Sequence, residues 1–268
     1  MFICATAALA LYPKCEETVE STFKNGERIF TRRHAILTVA GISSVVSLIA
    51  LIPEQATMLA FLLCFAMFLF TLANMFSKKW LLSIVVPTVF IMLYLFSWNT
   101  LFLNLFSTIT VVFSTAIFGA SLALDTEVKD EAVLNRGNIL SGVVLFVALI
   151  VLADVTLVFG TNLMMTAATK IEKLQLPLQV IVPTFPSTGG IAHMGLGDIL
   201  ISGLLAILTA NKWGMKSGIL CVASISATIM LGTTVLINCN VGMFPATILV
   251  VVGWLAGTGM RALCQWLI

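Results

Sequence analysis

The sequence predicts an all-α polytopic membrane protein, a bundle of apolar helices surrounded by lipid. Hydrophobic residues make up 60% of the 268-residue chain and charged residues only 10%, whereas soluble domains are about 25% charged. The apolar residues are gathered into long runs, and the basic residues are concentrated in every second loop between them. Such a chain cannot bury its apolar surface in one water-soluble core, so its helices must be solvated by a bilayer.

Eight apolar stretches are long enough, or nearly so, to cross the hydrocarbon core as helices, which takes about 20 residues. They are residues 35–52, 57–76, 80–98, 101–124, 139–168, 193–210, 217–237 and 244–268. A further stretch, residues 2–12, is too short to span alone at about 1.5 Å per residue. It also lacks the basic start of a signal peptide. We expect it to be a short or truncated first helix of a single transmembrane domain.

The distribution of Lys and Arg predicts the orientation. If all nine stretches cross, the odd-numbered loops and the C-terminal segment on the same side hold all of the 14 basic residues except Lys170 and Lys173. Short loops rich in Lys and Arg stay in the cytoplasm. The pattern therefore places the C-terminus in the cytoplasm and the N-terminus on the opposite side.

Charge and cysteine content exclude several classes of function. The net charge is only +2 and the basic residues form no stripe, so a nucleic-acid partner is not expected. The six cysteines include no CxxC and no Cys/His spacing typical of metal ligands or of a disulfide framework. We therefore expect no metal and no cofactor.

Two of the twelve acidic residues lie inside apolar runs, Asp154 in the stretch 139–168 and Asp198 in the stretch 193–210. The others lie in polar loops or, for Glu54, in a tight turn. A carboxyl group within the bilayer costs about 2.5–3.5 kcal/mol on insertion scales, and such residues mark functional sites. No Lys or Arg shares a run with Asp154 or lies beside Asp198. We expect the two acids to pair with each other rather than to be satisfied separately by helix–helix hydrogen bonds.

A pair of facing carboxyl groups in a low-dielectric site cannot both ionise, so the two share a proton. This arrangement is suited to amide hydrolysis. One carboxylate accepts a proton from a trapped water while the other acid protonates the scissile carbonyl oxygen. The predicted catalytic residues are Asp154 and Asp198.

Two glycines precede the second acid. Gly195 and Gly197 flank Leu196 within one turn ahead of Asp198. The missing side chains let another backbone approach, either a neighbouring helix or a substrate. A GxGD tetrapeptide alone also fits ordinary packing of membrane helices, but together with an upstream intramembrane aspartate it becomes specific.

These motifs resemble a known protease family. The stretch Asp154-Val-Thr-Leu-Val-Phe-Gly-Thr-Asn162 is followed 44 residues after Asp154 by Gly-Leu-Gly-Asp198. Together they resemble the signal peptide peptidase branch of the presenilin-type GxGD intramembrane aspartyl proteases, and Phe159-Gly-Thr-Asn162 favours that branch over presenilin itself. The resemblance implies a presenilin/signal peptide peptidase-like bundle of nine helices, with residues 1–138 as N-terminal helices and 139–268 as catalytic helices six to nine.

The resemblance also implies partners and a location. Transmembrane peptides or proteins, such as signal-peptide remnants or type II membrane proteins, would be the substrates. Residues 195–197 and the segment Pro245-Ala246-Thr247 would contact them, and the protein would lie in the endoplasmic reticulum membrane; a homo-oligomer is left open. Two positions depart from the family pattern, Ala153 where a Tyr is usual and Thr247 where a Leu is usual. We expect altered substrate preference from these departures rather than loss of activity.

One mechanistic expectation concerns the region between the motifs. Residues 176–183 are bounded by Pro177 and Pro183 and resemble the short extended segment that precedes the family's seventh helix. We expect a substrate to be unwound by adding a strand at residues 178–182.

Three alternatives are weighed against this interpretation. A proton- or cation-coupled transporter also uses membrane carboxylates, but it predicts corresponding inverted halves, which the sequence does not show. A prepilin-type peptidase uses a GxGD motif at the cytoplasmic face, whereas the charge pattern here places Asp198 nearer the opposite end of its helix. A non-catalytic family member stays open because of Ala153 and Thr247.

Overall fold

The computed structural model describes residues 1–22, 32–77, 79–127, 136–161, 163–183, 191–239 and 244–267. The described residues form ten α-helices, one π-helical turn and one small antiparallel sheet. The helices are α1 (Phe2–Thr22), α2 (Arg32–Leu51), α3 (Glu54–Ser77), α4 (Trp80–Phe96), α5 (Thr100–Glu127), α6 (Arg136–Val155), α7 (Leu163–Lys173), α8 (Leu196–Trp213), α9 (Met215–Asn238) and α10 (Ala246–Leu267).

The apolar helices confirm an all-α polytopic membrane protein. Four of them are long and apolar enough to span a bilayer: α3, α5 over Thr100–Ser121, α8 and α9. Two further apolar segments, Leu145–Gly160 and Leu163–Lys173, meet at a bend of 86° and make a fifth span if they cross the bilayer together. Shorter apolar helical segments lie in α2, α4 and α10. Each predicted apolar stretch overlaps at least one helix, while the count of nine crossings stays a prediction.

The predicted sixth span, residues 139–168, is not one straight helix. α6 passes into a π-helical turn, Thr156–Gly160, and α7 then leaves at 86°. The Thr156 hydroxyl donates to the backbone carbonyls of Leu152 and Ala153, both at 2.9 Å. Such side-chain bonds to preceding carbonyls are known to bend helices. Asn162 of the quoted motif lies outside the described residues.

Two helix boundaries also differ from the expected ones. α1 continues through Pro13 to Thr22, well beyond the apolar stretch 2–12. The predicted stretch 193–210 begins as a strand, and its helix starts only at Leu196. α1 continues into a polar segment, and α8 begins inside an apolar one. The apolar pattern therefore could not locate either boundary.

α8 lies at the centre of the bundle and packs against α1, α5, α9 and α10. Most of its residues from Ile199 to Ala210 are buried. Small residues allow this close packing. A Cβ atom on Gly203 would lie 2.5 Å from a Thr115 methyl carbon, and one on Gly119 would lie 2.6 Å from Ile207. The second acid of the predicted pair is therefore carried by the most enclosed helix of the described structure.

A two-stranded antiparallel sheet precedes α8. Strand β1 (Gln179–Pro183) pairs with β2 (Ile191–Gly195), and Ile181 lies opposite His193. The expected extended segment is therefore confirmed as β1. The amide hydrogen of Leu196 bonds to the Leu178 carbonyl oxygen at 3.2 Å, which continues the pairing into the first residue of α8. The sheet thus fixes the point at which α8 begins.

Candidate functional site

Asp154 is the last but one residue of α6 and directly precedes the π-helical turn. Its side chain is half-buried. The preceding residue, Ala153, packs against the large apolar cluster that joins α6, α8, α9 and α10. Asp154 therefore lies where the regular helix ends and the chain turns away, at the boundary between packed core and open space.

Asp198 lies in the first turn of α8, and Gly195, at the end of β2, is the residue that caps this helix. Gly195 has extended backbone angles, φ −65° and ψ 141°, so strand passes into helix without a loop. A carboxylate is favoured at this end of a helix because the unpaired amide hydrogens and the helix dipole attract negative charge. The Asp198 side chain is half-buried, like that of Asp154.

Asp154 at the end of α6 and Asp198 at the start of α8 lie close enough for the charge of one to act on the carboxyl group of the other. Within the described ranges, the ion pairs are Lys173–Glu54 and His193–Glu172, and neither involves these two acids. The Asp154–Asp198 pair is therefore without a cationic partner in the described part of the chain.

The start of α10 completes one side of the site. The Thr247 hydroxyl donates a hydrogen bond of 2.6 Å to Oδ2 of Asp154. Thr247 is only 5% exposed, and Pro245 and Ala246 immediately precede it at the helix start. Of the predicted segment 245–247, Thr247 is thus the residue in direct contact with an acid.

The residues of the GxGD segment have different surroundings. A Cβ atom built on Gly195 would lie 3.4 Å from Oδ2 of Asp198, whereas one on Gly197 would meet nothing within 4 Å. Leu196 is partly buried against the cluster formed by α1, α5 and α8. Gly197 alone therefore presents open space beside the acid.

An apolar cavity of about 530 Å³ lies along α6 on the side that faces α10. Its lining includes Val151, Leu152 and Val155, which are neighbours of Asp154 in sequence, and Trp254 of α10. The sequence analysis did not predict this cavity. In the sequence, the cavity corresponds to a row of aliphatic residues on one face of α6. Ordinary lipid-facing helices have the same pattern, so it does not indicate a cavity.

Asn104 and Lys170 also have roles that the sequence analysis missed. The Asn104 side chain bonds both backbone groups of Ile181 in β1. The Lys170 amine donates to three backbone carbonyls at the end of α2, those of Ile49, Ala50 and Ile52. In residues that the structure describes, no three His, Cys, Asp or Glu side chains are grouped as a metal site requires.

Comparison with known proteins gives one partial similarity. Over 74 residues the chain is 35% identical to a Schizosaccharomyces pombe protein described as a probable intramembrane protease. The match covers 28% of this chain and 22% of that protein, so this chain aligns with less than a quarter of its relative. No protein-family model matches the chain, and no solved structure matches it.

Proposed function

We propose that this protein is an intramembrane aspartyl endopeptidase of the GxGD type, with Asp154 and Asp198 as its catalytic residues. The proposal is supported by the placement of these two acids, one at the end of α6 and one at the start of α8, within range of an electrostatic interaction and without an ion-pair partner among the described residues. Both belong to apolar helical segments. The partial similarity to a probable intramembrane protease supports the same class of activity.

The chemistry follows from placing two carboxyl groups around one water. A shared proton leaves one group as a base and the other as an acid. The base removes a proton from water as its oxygen attacks the scissile carbonyl carbon, and the acid protonates the carbonyl oxygen. The group that took the proton of water then gives it to the amide nitrogen, the C–N bond breaks as the carbonyl re-forms, and a hydroxyl proton of the intermediate returns to the other carboxylate, so that the pair again shares one proton.

A transmembrane substrate must first be unwound, because helical hydrogen bonds hide its peptide groups. We expected a substrate strand to pair along residues 178–182, but the contacts of Ile181, in the middle of this segment, contradict that expectation. Both backbone groups of Ile181 bond to Asn104, at 2.8 Å and 3.1 Å, and Pro183 has no amide hydrogen. The outer edge of β1 is therefore closed there. The outer edge of β2 is the better site for substrate, and β2 leads directly to Gly195 and Asp198.

The expected substrates are single transmembrane segments, such as signal-peptide remnants or type II membrane proteins. An extended segment paired with β2 would pass over Gly197, where space is open. The apolar cavity along α6 could accept its aliphatic side chains beside Asp154. We further propose an endoplasmic reticulum location with a cytoplasmic C-terminus, in agreement with the loop charges.

The test is cleavage of a signal-peptide-like segment by the purified protein in liposomes. Asp154→Asn and Asp198→Asn should each reduce the rate by about 10² to 10⁴-fold, because each removes one proton-transfer group without changing the side-chain volume. Glu54→Gln is the matched control, since Glu54 forms only an exposed ion pair with Lys173. Undiminished cleavage by either Asp variant would contradict the proposal.

The same preparations separate the protease from the other candidate functions. A coupled transporter would move protons across the liposome membrane in an Asp-dependent manner and leave the segment intact. A non-catalytic family member would do neither. Cleavage that depends on both acids excludes both alternatives.

A further inference from the structure

The two acids of the proposed site have different hydrogen-bond surroundings. Oδ2 of Asp154 accepts the Thr247 hydroxyl at 2.6 Å, and such a bond is stronger when the accepting carboxyl group is ionised. For Asp198, the hydrogen bonds between described residues include none to its side chain. The Thr247 hydroxyl therefore favours negative charge on Asp154.

Helix dipoles do not reverse this difference. Asp198 lies at the N-terminal end of α8, and Asp154 faces the N-terminal end of α10 through Thr247. Each acid thus experiences the positive end of one helix, whereas the negative end of the helical run that carries Asp154 lies at Gly160, six residues further on and more than one turn away. The direct hydroxyl bond remains as the distinguishing interaction.

The basic residues of α8 and α10 lie far along these helices from Asp198 and Thr247. Lys212 of α8 is 14 residues from Asp198 and Arg261 of α10 is 14 residues from Thr247, which corresponds to about 21 Å along each helix. α2 carries Arg32 and Arg33 at its start. The charged residues of α7 lie beyond the 86° bend. There Glu172 pairs with His193 of β2, and Lys173 pairs with Glu54. Among the titratable groups of the described residues, Asp198 is the one whose carboxyl group interacts electrostatically with Asp154.

We propose that Thr247 is a positioning residue that holds Asp154 as the ionised base and leaves Asp198 as the acid. The inference rests on the proposed protease function for its catalytic consequence. The water would then lose its proton to Asp154 as its oxygen bonds to the carbonyl carbon. Asp198 would give its proton to the carbonyl oxygen as the C=O double bond becomes single. The charge on the dyad is unchanged by this step, because Asp154 gains one proton from water while Asp198 loses one proton to the carbonyl oxygen.

The experiment isolates Asp154 in the Asp198→Asn background and follows the infrared C=O stretch of its protonated carboxyl against pH. Thr247→Val, which replaces the hydroxyl by a methyl group, should raise the proton affinity of Asp154 about tenfold or more. Thr247→Ser keeps a hydroxyl and should leave the titration unchanged. Thr258→Val is the matched control on the same helix, because the Thr258 hydroxyl bonds only to carbonyls of α10.

The catalytic consequence is measured separately, with Asp198 intact. The acidic limb of kcat/KM against pH should move to higher pH in Thr247→Val and stay in place in Thr247→Ser and Thr258→Val. An infrared titration of Asp154 that Thr247→Val does not move, or that Thr258→Val moves equally, would overturn the inference. If the titration moves but the unmodified protein cleaves nothing, the placement of charge is supported and the protease proposal fails.

Discussion

Asn104 of α5 binds Ile181 of β1 through both polar atoms of its side-chain amide. Its oxygen accepts the Ile181 amide hydrogen at 2.8 Å, and its nitrogen donates to the Ile181 carbonyl oxygen at 3.1 Å. An amide side chain thus replaces a third strand at the outer edge of β1. This edge is satisfied by the protein itself, whereas the outer edge of β2 in the described structure has no strand beside it.

Replacement of Asn104 should loosen the sheet. Asn104→Leu leaves two backbone groups of a membrane protein without partners, and we expect a loss of about 2 kcal/mol in the free energy of unfolding. The midpoint of thermal unfolding in detergent measures it. Asn74→Leu is the control, because Asn74 is exposed and accepts only a long bond of 3.5 Å from Ser83. Equal midpoints for the two variants would show that Asn104 does not hold β1.

The sequence could predict the helices and the two acids but not the path of the chain between them. Hydrophobic runs predict spans because lipid imposes a length on them. The bend after Asp154 escaped detection because residues 156–160 stay apolar and contain no proline. An Asn in a membrane helix, as Asn104 is, ordinarily bonds a neighbouring helix. Its partner is a strand 77 residues away, and no local pattern indicates such a pairing.

The contact of Thr247 with Asp154 could not be predicted for a similar reason. The sequence placed Thr247 near the site only through the resemblance of residues 245–247 to a family motif. The bond joins residues 93 positions apart. It depends on how α10 packs against α6, and apolar helices offer many alternative packings of similar energy. Separate helices were predictable, while their relative placement required the structure.

Lys170 should stabilise the position of α7, the helix that follows the bend after Asp154. Its amine donates to the carbonyls of Ile49, Ala50 and Ile52 at 3.1, 2.7 and 2.7 Å, and so satisfies the end of α2. Lys170→Met keeps the aliphatic stem but removes these bonds. We expect it to lower the free energy of unfolding by about 1–3 kcal/mol, measured by thermal unfolding in detergent.

A lysine three residues further on provides the comparison. Lys173 pairs with Glu54 at 2.7 Å, but both side chains are largely exposed, at 64% and 42%. Exposed ion pairs contribute about 0–1 kcal/mol, so Lys173→Met should change the unfolding midpoint little. A larger loss in Lys173→Met than in Lys170→Met would contradict the assignment of Lys170 as the cap of α2.

Gly197 should matter for substrate rather than for folding. An added Cβ atom at this exposed residue meets nothing within 4 Å, and Ala is the better helix former. Gly197→Ala should therefore leave the unfolding midpoint unchanged or slightly raised. If a substrate backbone passes over Gly197, the same variant should cleave about tenfold or more slowly in the liposome assay.

Gly41→Ala is the matched control for this prediction, because Gly41 of α2 is also exposed and its added Cβ atom also meets nothing within 4 Å. It should change neither stability nor cleavage. A Gly197→Ala protein that cleaves at the original rate would show that the open space beside Asp198 is not used by substrate.

The outer edge of β2 can be tested at His193. His193 lies opposite Ile181, and both Ile181 backbone groups point away to Asn104. In an antiparallel pair the opposing residue then also directs its amide hydrogen outward. His193→Pro removes this donor without removing a bond between β1 and β2. We expect cleavage to fall at least about tenfold while the unfolding midpoint changes little. His193→Ala, which loses the side chain and its contact with Glu172 but keeps the amide, should cleave nearly as the original does. Equal loss in both variants would assign the effect to the imidazole and remove β2 as the substrate edge.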